Sequence, residues 1–168
     1  IIEFLGGRRI HTPWAVAGGV REPFTKEERD KLLEWYPEVK ETALLALKTI
    51  KKVHETYTKE ISCFGNFHSL FVGMVGSKGE LEYYGGNLRI MDSAGNIIAD
   101  NIDPRKYYDH FGEASESWSY LKFPYYKPHG YPKGIYRVGP LARLNICDFI
   151  ETPMAEQERK LFKNLVPA

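Results

Sequence analysis

The residues best suited to do chemistry lie in the run Tyr136-Arg137-Val138-Gly139-Pro140-Leu141-Ala142-Arg143-Leu144-Asn145. Arginine presents a planar fork of donors that matches carboxylates, carbonyls or the backbone of another protein chain. On an extended chain Arg143 and Asn145 point to the same face, and Arg137 joins them if Gly139-Pro140 keeps the register. Two readings stay open at this level. The run is a functional site, or it is a structural loop whose arginines tie down chain carbonyls. A second candidate is His11, in Gly6-Gly7-Arg8-Arg9-Ile10-His11-Thr12-Pro13. A histidine in a glycine-flanked loop can carry a proton near neutral pH, and Arg8 shares that loop. The alternative for His11 is a loop side chain bonded to a backbone carbonyl.

Other chemistries find little support. Cys63 and Cys147 stand 84 positions apart, with no C-x-x-C pair and no Cys/His cluster of zinc spacing. Cys63 and His68 are five apart, but two ligands make no metal site. Two buried free thiols are expected. A cysteine–histidine nucleophile using Cys63 or Cys147 has no local support. Glu80 and Glu82 alternate as on a solvated strand, and neither double glycine fits a phosphate-binding loop. A net charge of +1 gives no basic stripe for nucleic acid. No apolar run approaches a membrane span, and the opening residues carry no signal-peptide pattern. A soluble globular class follows from 43% hydrophobic and 27% charged residues, and a cytoplasmic setting is expected.

The elements that must position these residues read as α+β. Ile1 to Leu5 looks like the end of an amphipathic helix, stopped by Gly6-Gly7. Thr25-Lys26-Glu27-Glu28 is a capping box that opens a long amphipathic helical stretch to about Tyr57. Its Leu32, Tyr36, Val39, Ala43, Leu47 and Ile50 should form one buried face, and Pro37 should kink or split it. Short runs at 70–75, 80–84, 88–92 and 97–99, separated by glycine-bearing turns, predict an antiparallel meander. Asp103-Pro104 and Thr152-Pro153 each open a shorter helix. Trp118 to Arg137, with Pro124, Pro128 and Pro132, is an aromatic-rich irregular segment. Both ends, including Val166-Pro167-Ala168, read as cut within a longer protein, so residues 1–168 are expected to be one middle fragment.

Three blocks carry a family resemblance. Gly139-Pro140-Leu141-Ala142-Arg143-Leu144-Asn145 resembles a signature of the large (alpha) subunit of nickel–iron hydrogenases. The segment from Gly6 to Val20 resembles a second signature, GGRxxHPxxxxPGGV, and Trp118 to Tyr125 a block of the cytoplasmic branch. The NAD-reducing type is favoured. The resemblance implies reversible oxidation of dihydrogen to protons and electrons at a nickel–iron centre. It also implies two kinds of partner, a small subunit with iron–sulfur clusters and diaphorase subunits. The family holds its metals with four thiolates from two C-x-x-C motifs, and neither motif stands in this sequence. The fragment alone is therefore expected to hold no metal, to be inactive and to self-associate. The resemblance places His11 beside the centre for proton transfer, although Thr12 separates it from Pro13 and Ala17 replaces a patterned proline. Arg8, Arg137, Arg143 and Asn145 would order loops or contact the partner. Two readings compete with this one. The first is a non-catalytic interaction module using the Tyr107–Tyr136 aromatic strap. The second is a small cysteine hydrolase.

Overall fold

A computed structural model describes residues 1–165; the expected end at Val166-Pro167-Ala168 lies outside the described residues. The chain divides into two compact units, Ile1–Asn66 and Phe67–Ala168. The first begins with helix α1 (Ile2–Gly6), closed by Gly7 at φ 72, whose N–H donates to the Glu3 carbonyl. Strands β1 (Ala15–Val16) and β2 (Gly19–Val20) pair antiparallel. Helix α2 (Lys26–Thr56) starts in the expected capping box: Thr25 accepts from the Glu28 N–H, and the Glu28 carboxylate accepts from the Thr25 N–H at 2.8 Å. Helix α3 (Thr58–Cys63) follows.

One expectation for α2 is corrected. The helix runs through Pro37 as one element, so of the expected kink or split the split does not occur. Proline removes one donor and frees the carbonyl of Leu33, which is 60% exposed, so water can satisfy it. The apolar stripe does not form a buried face either, because α2 contains no buried residue. Tyr36, Val39, Leu44, Leu45 and Ile50 are all exposed, and the only sheet of this unit among the described residues is the two-residue β1–β2 pair.

The second unit is built on a four-stranded sheet in which β5 (Ile97–Ile102), β4 (Asn87–Met91), β3 (Leu70–Val75) and β8 (Tyr136–Arg137) lie side by side in that order. Strand β3 (Leu70–Val75) pairs antiparallel with β4 (Asn87–Met91), and β4 with β5 (Ile97–Ile102). A short 3-10 turn, Pro104–Lys106, is capped by the Asp103 carboxylate and leads into helix α4 (Tyr107–His110). Strands β6 (Phe111–Ser115) and β7 (Lys122–Tyr126) form an antiparallel hairpin, so part of the stretch expected to be irregular is ordered by strand pairing. Strand β8 (Tyr136–Arg137) joins β3 in parallel, and helices α5 (Gly139–Ile146) and α6 (Pro153–Leu165) follow.

Alternation along β3 assigns the two faces of the sheet. Leu70 and Val72 cluster with Ile90, Ile102 and Tyr126, which packs the hairpin side. Val75 and Phe71 lie with Met91, Ile146 and Cys147, which packs the α5 side. Gly73 belongs to the α5 face, where a Cβ would stand 2.5 Å from Ile146 Cδ1. That missing side chain lets α5 lie close on the strand. Segment 80–84 is not a ladder strand, contrary to expectation. It makes only isolated bridges, Val75 with Leu81 and Glu80 with Phe149. The Glu82 carboxylate accepts from the N–H groups of Tyr83 and Tyr84, and such a local loop competes with strand pairing.

Gly79, at φ 85, faces Asp148 so closely that any Cβ would collide with its carboxylate. Gly79→Ala should therefore lower stability by about 1–3 kcal/mol in denaturant unfolding. Gly85→Ala, where a Cβ would meet nothing, should be near neutral. Equal effects of the two substitutions would contradict this packing.

Candidate functional site

The Tyr136–Asn145 run is not extended along its length. Only Tyr136 and Arg137 are strand, and Gly139 at φ 78 turns the chain into α5 with Pro140 in its first turn. On a helix Arg143 and Asn145 are about 200° apart, so the shared face expected of them does not exist. Arg137 stacks its guanidinium over the Phe67 ring at 4.1 Å. Arg143 lies over the Tyr83 ring at 5.1 Å. Asn145 donates from Nδ2 to the Leu141 carbonyl at 2.9 Å. Arg143 also borders a cavity of about 420 Å³ whose walls include Leu81, Pro140, Leu144 and Ile150.

Arg8 and His11 belong to the first unit, and the other three candidates to the second. Arg8 is exposed. His11 is exposed as well and takes the left-handed conformation at φ 52, which is uncommon for a residue other than glycine. Gly6 is what lets this loop close, because a Cβ there would stand 2.6 Å from Thr12 Cβ. The cysteines also divide between the units. Cys147 is buried, which pushes its thiol up, whereas Cys63 is exposed, correcting the expectation of two buried thiols.

The strongest electrostatic feature is one that sequence reasoning misses. Two buried arginines grip the C-terminal end of α5, where helix carbonyls lack intrahelical partners. Arg89, on β4 opposite Gly73, donates from one terminal nitrogen to the Ile146 carbonyl at 3.0 Å and to the Asp148 carboxylate at 3.1 Å. Its other terminal nitrogen meets Asp100 Oδ2 at 2.9 Å. Burial opposes the charge on Arg89, but the bonds to Asp100 and Asp148 outweigh it and raise its pKa. The bond from Arg89 holds the Asp100 carboxyl below its usual range. Arg159, on α6, donates to the Asp148 carbonyl at 2.7 Å and to the Cys147 carbonyl at 3.4 Å. Lys163 donates to the Asn145 carbonyl at 2.8 Å. Three cations thus meet the negative end of one helix.

Arg159 is in turn clamped by Glu156, with nitrogen–oxygen distances of 2.7 and 2.8 Å. That pairing, helped by the Ile150 N–H, lowers the Glu156 carboxyl to about 2. Both arginines left a trace in the sequence. Arg89 interrupts the apolar strand Leu88-Arg89-Ile90-Met91, and Glu156 and Arg159 hold helix i,i+3 spacing.

No protein-family model matches the chain. Comparison with curated proteins finds a subunit of the vhu F420-non-reducing hydrogenase from Methanocaldococcus jannaschii, 39% identical over 96% of this chain. It also finds the beta subunit of the NAD-reducing hydrogenase HoxS from Cupriavidus necator, 33% identical over 96%. The chain spans 38% and 34% of those two proteins. Among solved structures, an NAD+-reducing NiFe-hydrogenase in the H2-reduced state matches with a TM-score of 0.84 and 38% identity. That match covers 96% of this chain and 36% of the other.

The acid limb of stability follows from the clamp. Carboxyls depressed in the folded state contribute stability above their ordinary pKa and lose it as pH falls through the folded value. For Glu156 that window runs from 4.5 down to about 2. The melting temperature should fall across it, and Glu156→Gln should flatten the fall. An unchanged acid limb in the variant would contradict the clamp. In sequence and fold this chain is similar to hydrogenase subunits over about a third of their length.

Proposed function

We propose that the chain is part of the large (alpha) subunit of a cytoplasmic nickel–iron hydrogenase and serves there in the reversible oxidation of dihydrogen to protons and electrons. One observation carries this reading. Agreement in sequence and fold with the NAD+-reducing enzyme extends over 96% of the chain instead of stopping at one motif. NAD is the acceptor we favour on that match. The F420-non-reducing relatives, up to 39% identical, support another soluble carrier as the second reading. Partners on this proposal are diaphorase subunits and a small subunit with iron–sulfur clusters.

The residues described here do not fit the nickel–iron centre by themselves. Among the described residues no group of three or more His, Cys, Asp or Glu is placed to hold a metal ion. Thiolates suit such a centre, and the two thiols stand singly, one in each unit. The ligands would come from elsewhere in the parent protein, and the chain alone would be inactive. Its contribution would be the surroundings. His11 is proposed as a proton carrier, for which its exposed ring is suited. Arg8, Arg137, Arg143 and Asn145 are proposed to order loops or contact the partner.

The alternative to a hydrogenase, a non-catalytic interaction module, draws on the aromatic strap. Tyr107, Tyr108, Trp118 and Tyr120 are all more than half exposed. Coding sequence on both sides discriminates: C-x-x-C pairs upstream and downstream support the hydrogenase, and their absence favours the module. The exposed apolar residues of α2 are expected to drive self-association of the isolated chain. Light scattering at high concentration should find oligomers, and a clean monomer would count against this. Within the complete enzyme, His11→Ala should cut hydrogen turnover by roughly 10²-fold or more, as for a general acid–base group, while nickel content stays normal. Unchanged turnover would remove the role given to His11.

A further inference from the structure

Arg89 is held by features that each carry an energetic cost. Its side chain is only 9% exposed, so most of its hydration is lost. Its Nε is buried without a hydrogen-bond partner, a second cost. Asp100 reaches it through an irregularity in β5, where three residues from Ala99 to Ile102 advance against two from Ile90 to Leu88. Such a bulge re-aims a side chain. Within it Asn101 adopts the left-handed conformation at φ 57, which asparagine tolerates better than most residues, and its side chain accepts a 2.5 Å bond from Asn87. Asp148 reaches the guanidinium only because Gly79 has no side chain.

An apolar residue would fill the place opposite Gly73 without any of this, as Met91 does opposite Phe71. Replacing a buried ion network by apolar groups is often neutral or stabilising. The arrangement therefore calls for an explanation other than stability, and its geometry supplies one. Arg89 binds the Ile146 carbonyl and the Asp148 side chain, immediately beyond Arg143 and Asn145. We propose that Arg89 is a positioning residue that fixes the C-terminal turn of α5, and hence the directions in which Arg143 and Asn145 project. The link from that position to hydrogen turnover rests on the hydrogenase reading; the positioning itself does not.

Site-resolved amide exchange on the chain tests it. Arg89→Met should accelerate exchange at Cys147 and Asp148 by roughly tenfold or more while Val72 and Ile90 change by less than about threefold. Arg89→Lys, with one compact donor in place of a fork, should fall between. Parallel acceleration of sheet and helix would overturn the proposal, because Arg89 would then be a core stabiliser. Unchanged exchange at Cys147 and Asp148 would overturn it too. Should Arg89→Met not fold, Asp148→Asn removes the charge partner, keeps the shape and should loosen the same two amides. In the assembled enzyme Arg89→Met should lower kcat several-fold with KM little changed. A loosened helix end with unchanged turnover would leave the positioning intact and count against the hydrogenase role of α5.

Discussion

The closure of α5 by buried cations is the constraint on which the second unit depends. A helix that ends inside a protein leaves carbonyls without partners, and each costs free energy if nothing replaces water. Here the Ile146, Cys147 and Asp148 carbonyls are met by Arg89 and Arg159, which come from a strand and a helix far apart in the chain. The same two residues join the sheet, α5 and α6 into one body. Gly73, Gly79 and the β5 irregularity are local adjustments that let this junction close.

The two units differ in how completely they satisfy themselves. The second buries apolar residues on both faces of its sheet, with Ile90 and Ile146 fully enclosed. The first has a 31-residue helix with no buried residue. Amphipathic periodicity describes what a helix is prepared to bury, and burial itself needs a second surface. The stripe on α2 is therefore suited to a covering element.

Legibility in the sequence followed the range of the interaction. Local signals were readable: the Thr25–Glu28 capping box, the Gly7 stop, the strands expected at 70–75 and 88–92 and found at Leu70–Val75 and Asn87–Met91, and the Pro153 helix start. Errors arose where a nearby side chain or a second period competed. Glu82 bonds its own neighbours and withdraws 80–84 from the sheet. Gly139-Pro140 starts a helix, so the two-residue spacing of Arg143 and Asn145 carries no strand meaning. Arg89 and Arg159 were hidden for another reason. Their partners lie 57 and 11 positions away, and only the tertiary fold brings them to one helix end. The likeness to hydrogenase subunits was legible because it rests on blocks in order, which need no geometry.

The most direct test of this account is a double-mutant cycle on the closure. Arg89→Met, Arg159→Met and the double variant are compared by denaturant unfolding. Both arginines act on Asp148, one through its carboxylate and one through its carbonyl. The account predicts a coupling energy of about 1 kcal/mol or more between them. Additivity within about 0.3–0.5 kcal/mol would show two independent contacts and contradict it.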